Sequence, residues 1–348
     1  MKNRTYFDWN ATSPLRQEAK NVMIEVMNQL GNPSSVHFEG RAAKSIIEKA
    51  REQIADAFGA RNSEIVFTSG ATEAAKLALN GYKINCSRLE HPCVLENCES
   101  TLALSEDGRV IVHEPTSSTV QSANSETGIL QEISDGLHLT DFVQSFCKIP
   151  TAFDWLGCSR GIISSHKIGG PKGVGALVIK SNQEVQDLFK GGGQEKGRRS
   201  GTENIIGIAG FGAAAVQAQK DLAEGIWEKV LCLRDLLEEG LEAIASEAIF
   251  IGRRFNRLPN TCCISVPGWL GETAVMQMDL AGYAISAGSA CSSGTVKSNG
   301  VLKAMGFGED ISKSAIRISL GPDNTENEVL KFLDVWERAY LRFKAKAA

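Results

Sequence analysis

Short apolar segments alternate with amphipathic helical patterns along most of this 348-residue chain, and this alternation limits the fold more than any other feature. A strand-like run at 64–68 leads directly into a helical pattern that reaches Leu79, and two further apolar runs occupy 161–163 and 174–179. Strands are also expected at 109–113 and 119–123. Strands that alternate with helices favour a largely parallel sheet covered by helices. The sequence therefore predicts an α/β fold.

A long helical pattern from Asn204 to about Ile244 is expected to bridge two domains. It contains Gly207, Gly210 and Gly225, and we expect the helix to break or kink at these glycines because glycine weakens a helix interior. The hydrophobic content of 43% is enough to fill two cores. We predict a large domain over 16–246 and a small domain built from 1–15 and 247–348.

The charge pattern argues against partners that are polyanions. The formal net charge is −4 and no block of Lys and Arg occurs before the tail, so the chain lacks the electrostatic footprint for nucleic acid or an anionic membrane. The first ten residues contain no apolar signal-peptide core, and no run approaches the ~20 apolar residues of a membrane span. We expect a cytoplasmic protein that acts on small molecules.

The nine cysteines indicate neither a disulfide framework nor a zinc site, because their number is odd and no CxxC pair occurs. Most are expected to be buried thiols in a reducing compartment. Cys291 differs, since it lies in the Gly/Ser-rich segment 286–294 where a thiol would be accessible.

Lys167 is the strongest candidate for covalent chemistry. It follows the apolar run at 161–163 and precedes a Gly-Pro loop, which places it at a strand end, where α/β enzymes hold their sites. A lysine can form a Schiff base when desolvation or a nearby cation frees its amine. Asp141 ends another apolar strand and would need a cationic partner if buried, such as a pyridinium nitrogen.

A Gly- and hydroxyl-rich turn at 69–73 joins the strand at 64–68 to the next helix. Such a turn presents backbone N–H groups and a positive helix end, which suit a phosphate, although Ser or Thr before Glu is also an ordinary helix cap. His91 lies just before Pro92, which can begin a helix.

Several short segments together resemble cysteine desulfurases of the NifS/IscS group, pyridoxal-phosphate (PLP) enzymes of the class-V aminotransferase family. They are Ser-Gly-Ala-Thr-Glu at 69–73, Glu-His-Pro at 90–92, Asp-x-x-Gln at 141–144, Ser-x-His-Lys at 164–167, Arg-x-Gly-Thr-Glu-Asn at 199–204 and Ser-Ala-Cys-Ser-Ser-Gly at 289–294. The segments follow the family order over more than half of the chain. The resemblance implies a fold-type I PLP transferase with a mainly parallel, seven-stranded-type large-domain sheet, here shortened, and a smaller α+β C-terminal domain.

The resemblance assigns a role to each residue around the cofactor. Lys167 would hold PLP covalently, and Asp141 would keep the ring nitrogen protonated so that the ring withdraws electrons. Gln144 would donate to the phenolic oxygen, while His91 would stack on one ring face and act as an acid and base. Val143 would support the other face. The phosphate would be held by a further group of residues, namely Ala71, Thr72, Ser164 and His166.

The resemblance also implies the substrate, the partners and the reaction. Arg317, helped by Asn32, would bind the carboxylate of L-cysteine, and Thr202 would reach the phosphate of a second subunit in a homodimer. Cys291 would take the sulfur as a persulfide and release alanine. The spacing from Cys291 to the next helix resembles the long-loop type, which implies direct transfer to an iron–sulfur scaffold or a tRNA-thiolation partner.

The chain departs from the family pattern at three places. Ser125 stands where the family has a second Asn, so the phenolic oxygen would have a shorter donor. Phe142 replaces a small residue and is expected to crowd the strand packing. The segment 108–141 is shorter than usual, as if a helix and an edge strand were missing. We expect PLP binding and activity, with reduced stability as the penalty.

Three other functions fit parts of the pattern. A selenocysteine lyase would share every motif, and only competition between substrates would separate it. An aminotransferase of this fold would keep Lys167 and Asp141 without using Cys291. A reduced-activity PLP-fold protein that serves as a partner in sulfur trafficking would explain the shortened segment.

Overall fold

A computed structural model describes residues 4–105, 108–181, 183–288 and 300–347. The prediction for Cys291 falls on residues outside this part of the chain. No helix within the described residues is long and apolar enough to cross a membrane.

Strands and helices alternate along the described chain, as the sequence predicts. The strands are β1 (Thr5–Tyr6), β2 (Ser63–Thr68), β3 (Asn85–Cys86), β4 (Glu99–Ser100), β5 (Thr140–Asp141), β6 (Arg160–Ser164), β7 (Gly175–Lys180), β8 (Ile249–Ile251), β9 (Thr261–Ser265), β10 (Tyr283–Ala284), β11 (Ser286–Ala287) and β12 (Ala315–Ser319). The helices are α1 (Gln17–Met27), α2 (Phe38–Phe58), α3 (Ala71–Leu79), α4 (Pro92–Leu95), α5 (Ile205–Ala223), α6 (Ile226–Ile244), α7 (Gly271–Leu280), α8 (Gly300–Ala304), α9 (Glu309–Ser314) and α10 (Glu326–Ala347).

The chain divides into two compact units. The larger unit contains Thr12–Ser122 and Gln131–Glu224, and the terminal unit contains Met1–Ala11, Ala123–Leu130 and Gly225–Ala348. The sequence-based boundaries had been placed at 15/16 and 246/247. In the structure, α6 and the short segment 123–130 belong with the chain termini.

The larger unit is built on a mixed, mainly parallel sheet. Its four-stranded part has the order β2-β7-β6-β5, in which β7 is antiparallel to both neighbours and β5 is parallel to β6. Parallel bridges then join Leu139 to Thr119 and Ser118 to Asn85, and β3 pairs in parallel with β4. The sheet therefore passes through seven segments in the order β2, β7, β6, β5, 118–119, β3 and β4, which confirms the predicted fold class. The segment near Thr119 contributes single bridges where a strand at 119–123 had been predicted.

Both faces of this sheet are buried, as the alternating side chains of β2 show. Ile65 and Phe67 of β2 pack in one apolar cluster with α2 and α5, while Val66 between them packs in a second cluster with α3. Helices α2 and α5 therefore cover one face and α3 covers the other, as is typical of a mainly parallel sheet. Strand ends at the edge of this layered core therefore have fixed positions.

Phe142 fits into an aromatic cluster instead of forcing strands apart. Its ring is fully buried and meets the ring of Phe58 edge-on with centroids 5.1 Å apart. A Cβ atom at Gly161 would lie 3.1 Å from the Phe142 ring and 2.8 Å from the Phe153 ring. The glycine on the neighbouring strand thus supplies the room that the larger side chain needs.

The long helical pattern breaks only once within the described structure. α5 ends at Ala223 and α6 begins at Ile226, with Gly225 between them at φ +70°. The expected kinks at Gly207 and Gly210 were wrong, since α5 continues through both. A Cβ atom at Gly210 would lie 2.8 Å from Met23 of α1, so this glycine permits close helix packing.

The terminal unit contains an antiparallel sheet with the order β11-β12-β9-β8 and a parallel pair of β1 with β10. A parallel bridge between Asp8 and Ser319 links the first residues of the chain to β12. This unit contains the helices and antiparallel strands of an α+β domain, the class expected for the small domain, and β12 carries Arg317.

The strand predicted at 109–113, in the larger unit, was wrong. Val110 forms a single bridge with Leu104, and no strand forms over 109–113.

Candidate active site

Lys167 lies at the carboxyl end of β6, in the single helical turn Ser165–Lys167. Its carbonyl oxygen accepts a 2.7 Å hydrogen bond from Ser13 Oγ, which anchors the turn to the segment before α1. The Lys167 ammonium acts on three neighbouring groups. Burial lowers the pKa of His91 and of His166 and the Lys167 charge lowers both further, whereas the same charge opposes the rise that burial causes in the pKa of Asp141. The structure therefore brings together residues from three segments that are far apart in sequence, around positions 91, 141 and 167.

Asp141 ends β5 as a buried carboxylate. Burial raises the pKa of Asp141 to about 6, while a hydrogen bond from the Val143 N–H and the nearby Lys167 oppose that rise. The Val143 nitrogen lies 2.8 Å from Asp141 Oδ1. A carboxylate in this position gains free energy from a further cationic N–H donor.

Gln144 is also buried, one turn after Asp141. Its Oε1 accepts a 3.1 Å hydrogen bond from the ammonium of Lys148, which is itself buried. This bond identifies the oxygen of the amide and places the amide NH2, the hydrogen-bond donor, on the other side of the group. Val143, predicted to support a ring face, is half-buried against the apolar cluster that includes α3.

His91 forms the N-cap of the short helix α4. The backbone N–H of Cys93 donates to His91 Nδ1 at 3.2 Å, and Cys93 Sγ lies 3.0 Å from the same nitrogen. The side chain is exposed, yet the protein around its inner edge and the Lys167 charge lower the pKa of His91. An exposed neutral ring is suited to stack on a planar group.

Three of the predicted phosphate-binding residues, Ala71, Thr72 and Ser164, lie at or next to the start of α3. Ala71 and Thr72 occupy the first turn of this helix, whose leading N–H groups have no acceptor within the helix. A Cβ atom at Gly175 would lie 2.7 Å from the backbone of Gly70, so β7 can approach this turn only because residue 175 is glycine. Ser164 pairs with Gly175 across β6 and β7.

His166, the fourth predicted phosphate ligand, is anchored to the segment before α1. Its Nδ1 lies 3.1 Å from Thr12 Oγ1, and burial together with Lys167 and Lys172 lowers the pKa of His166 to about 4. His166 is therefore neutral at pH 7, and as a phosphate ligand it would act as a hydrogen-bonding group and not as a cation.

Thr202 is exposed and lines a cavity of about 260 Å³. Thr68, Ser69 and Gly173 line the same cavity, which places Thr202 near the loop that enters α3. Arg199 fixes the segment before Thr202, because its Nε donates a 2.8 Å hydrogen bond to Glu73 Oε1 in the first turn of α3.

Arg317 of the terminal unit forms a buried cluster with two carboxylates. Its Nη2 donates to Asp8 Oδ1 and its Nη1 donates to Glu126 Oε1, each at 3.0 Å. Its Nη1 also donates to the backbone oxygen of Ser125 at 3.0 Å. Ser286 Oγ in turn donates to Asp8 Oδ2 at 2.8 Å. The guanidinium is thus held in a defined plane.

The sequence-predicted site residues do not all lie together. Most of those in the larger unit lie around Lys167 or near the start of α3, whereas Arg317 belongs to the terminal unit. Asn32 lies in an exposed loop of the larger unit, where its Oδ1 accepts a 2.9 Å hydrogen bond from the Ser34 N–H. Cys291 lies outside the described residues.

The residues that support the predicted ones were not predicted from the sequence. Cys93 had been treated only as a buried thiol, and Asp8 and Glu126 had no role. The signal for Cys93 was present, since a Pro directly after His91 makes the histidine an N-cap whose side chain meets the N–H two residues later. The partners of Arg317 could not be found this way, because they are distant in sequence.

Residues 5–332 match the model of the family described as aminotransferase class-V, and the chain belongs to this family. Relatives within it bear a narrower description. "Cysteine desulfurase IscS" of Dictyoglomus turgidum is 35% identical over 97% of this chain and 95% of its own length.

Solved structures show the same likeness. A NifS-like protein from Rickettsia africae has a TM-score of 0.87 and 33% identity, covering 97% of this chain and 99% of its own. A structure described as "SspA in complex with cysteine" has a TM-score of 0.73 and 29% identity, covering 92% of this chain and 100% of its own. The chain is therefore similar, over nearly its full length, to NifS-like proteins.

Proposed function

We propose that this chain is a PLP-dependent cysteine desulfurase that converts L-cysteine into L-alanine and passes the sulfur to an acceptor. The observation that carries the proposal is the convergence of Lys167, Asp141, His91 and His166 in the larger unit of a class-V aminotransferase. Relatives named cysteine desulfurase, about one third identical over nearly the whole chain, support the choice of reaction within that family.

The residues present fit PLP on two grounds. The buried Asp141 carboxylate, with its pKa raised to about 6, gains a matching partner in a pyridinium N–H. The first turn of α3, with Gly175 pressed against Gly70, offers backbone N–H groups to a phosphate. When bound, PLP would supply an electron-withdrawing ring that stabilises negative charge next to the substrate amine.

The remaining chemistry belongs to the side chains. Lys167 would hold the cofactor through its amine and then carry the substrate α-proton. Asp141 would hold a proton on the ring nitrogen, and the Gln144 amide would donate to the phenolic oxygen. Ala71, Thr72, Ser164 and His166 would hold the phosphate, with Thr202 contributed by a second copy in a homodimer.

Two residues complete the substrate chemistry. Arg317 would bind the substrate carboxylate, with Asn32 assisting, and its fixed plane limits the orientation in which cysteine is held. The Cys291 thiolate would attack the substrate sulfur, so that an S–S bond forms as the Cβ–S bond breaks. The electron pair of the broken bond would stay on the carbon that becomes the methyl group of alanine, and the sulfur would remain on Cys291 as a persulfide. An iron–sulfur scaffold or a tRNA-thiolation protein would then receive the sulfur, and we place this exchange in the cytoplasm.

The test is product analysis of the purified protein supplied with PLP and L-cysteine. Stoichiometric alanine and sulfide are expected in the presence of a thiol reductant. Lys167→Ala should abolish both products, while Lys172→Ala, a change at an exposed lysine of the following loop, should retain most of the activity. With 2-oxoglutarate added as the amino acceptor, formation of 3-mercaptopyruvate and glutamate without sulfide would instead indicate an aminotransferase.

A further inference from the structure

The hydrogen bond at the start of α4 fixes where His91 carries its proton. The backbone N–H of Cys93 points at His91 Nδ1 at 3.2 Å, and a backbone N–H can only donate. Nδ1 must therefore present its lone pair. The hydrogen of the neutral imidazole then resides on Nε2, the nitrogen at the outer end of the ring.

The thiol of Cys93 supplies a second donor to the same nitrogen. Cys93 Sγ lies 3.0 Å from His91 Nδ1. Burial raises the pKa of this thiol, and the charges of Asp141 and Glu90 raise it further, so the sulfur keeps its hydrogen at neutral pH. Two donors thus face Nδ1, one from the backbone and one from the side chain of a single residue.

Protonation of Nδ1 would set an N–H group against two other donors. It would also place a second positive charge near Lys167, whose ammonium already lowers the pKa of His91. The alternative neutral tautomer, with hydrogen on Nδ1, is disfavoured by the same two donors. Nε2 can therefore donate a hydrogen bond, but it has no lone pair with which to accept a proton.

We propose that Cys93 is a positioning residue that holds His91 as the neutral Nε2–H tautomer, so that His91 serves as a hydrogen-bond donor and not as the proton-abstracting base. This role rests on the proposed desulfurase function. It narrows the acid and base role that the family resemblance implied for His91, and it leaves removal of the substrate proton to the Lys167 amine.

The direct test is ¹⁵N NMR of the PLP-loaded full chain with ¹⁵N-labelled histidine, in which the five histidines give a small set of imidazole signals. The His91 signals are assigned by their loss in His91→Asn. We expect a protonated-type Nε2 and an unprotonated-type Nδ1 from pH 6 to pH 8. A protonated Nδ1 in the neutral ring would overturn the proposal.

Two variants of Cys93 separate the thiol from the backbone. Cys93→Ser keeps a side-chain donor and should retain the wild-type tautomer. Cys93→Ala removes that donor, and the His91 signals should then show a measurable share of the Nδ1–H form and a higher pKa. If Cys93→Ala gave the same tautomer and titration as the wild type, the positioning role of the thiol would be refuted.

Two variants of His91 separate its cap from its donor. His91→Asn retains a side-chain acceptor for the Cys93 N–H but lacks the Nε2 donor. His91→Gln extends an amide NH2 towards the Nε2 position but loses the hydrogen bond from the Cys93 N–H that caps α4. We expect kcat to be about tenfold lower in His91→Asn than in His91→Gln, as the loss of one hydrogen bond implies. Equal rates, or a faster His91→Asn, would contradict the donor role.

The tautomer does not depend on turnover, so the two proposals fail separately. A protein that makes no alanine from cysteine but shows the Nε2–H form would refute the proposed function alone. A protein that turns over cysteine with Nδ1 protonated would refute the inference alone.

Discussion

Arg51 and Glu195 form a two-pronged ion pair between α2 and the turn at 194–197. The two Nη atoms of Arg51 lie 2.9 and 3.0 Å from the two carboxylate oxygens of Glu195, whose side chain is only 2% exposed. Glu195 also accepts from the Phe67 N–H at 2.9 Å and adopts a left-handed φ of +48°. The pair therefore holds a strained turn shortly before Thr202.

Removal of the arginine should leave a buried, uncompensated charge. We expect Arg51→Met to lower the free energy of unfolding by about 3–5 kcal/mol in urea denaturation. The matched control is Arg61→Met, because Arg61 pairs with Asp56 at the surface and is 76% exposed. That change should leave the free energy of unfolding almost unchanged, because solvent screens the exposed pair. Similar losses in the two variants would show that the Glu195 pair is not special.

Neutral buried histidines predict a loss of stability in acid. Burial and Arg160 lower the pKa of His138 from 6.5 to about 4, and its Nδ1 lies 3.3 Å from Arg160 Nη1. The unfolded chain binds this proton near pH 6.5 and the folded chain only near pH 4, so stability present above pH 6.5 is lost as pH falls between these values.

His138→Gln should remove that pH dependence, which amounts to on the order of 2 kcal/mol at pH 4. The measurement is the urea midpoint at pH 7 and at pH 4.5 for wild type and variant. His113→Gln serves as control, since His113 is exposed. The His113 variant should lose as much stability in acid as the wild type. If the His138 variant also loses as much, His138 is not the source of the acid sensitivity.

The Arg317 cluster predicts a change in substrate binding. Arg317→Lys replaces a planar fork by a point charge, so the KM for L-cysteine should rise about tenfold or more, as expected for the loss of a charge-assisted hydrogen bond. Retention of PLP should be unaffected. Steady-state kinetics with a range of cysteine concentrations provides the measurement.

Arg257→Lys is the matched control within the terminal unit. Arg257 pairs with Glu238 through two contacts of 2.6 Å and is similarly buried. Its replacement should lower thermal stability without changing the KM. A KM that rises equally in both variants would assign Arg317 a structural role only.

The sequence predicted most of the architecture because both faces of the central sheet are apolar. The runs around Ile162 and Val178 are too hydrophobic to be anything but buried strands. The predicted strand at 109–113 failed because Val110 finds only a single bridge partner, Leu104. A kink was wrongly predicted at Gly210 of α5. This glycine instead permits the close approach of α1, and no local sequence pattern shows such a contact.

The candidate site was predictable where a residue's role depends on its own chemistry. Lys167 and Asp141 follow strands, and their positions at strand ends could be inferred from the apolar runs before them. Asp8 and Glu126 could not be linked to Arg317, since the three residues meet only after the terminal unit has folded. The crowding expected at Phe142 was relieved by Gly161 on the next strand, which also required the tertiary structure.

In the proposed reaction, sulfur leaves L-cysteine at the PLP site and stays on Cys291. The most direct measurement is mass spectrometry of the Cys291 peptide after brief treatment of the PLP-loaded enzyme with L-cysteine, without reductant. We predict one added sulfur atom on Cys291, which disappears in Cys291→Ser together with sulfide release. An unmodified Cys291 in an enzyme that still produces alanine and sulfide would contradict the proposed transfer of sulfur to Cys291.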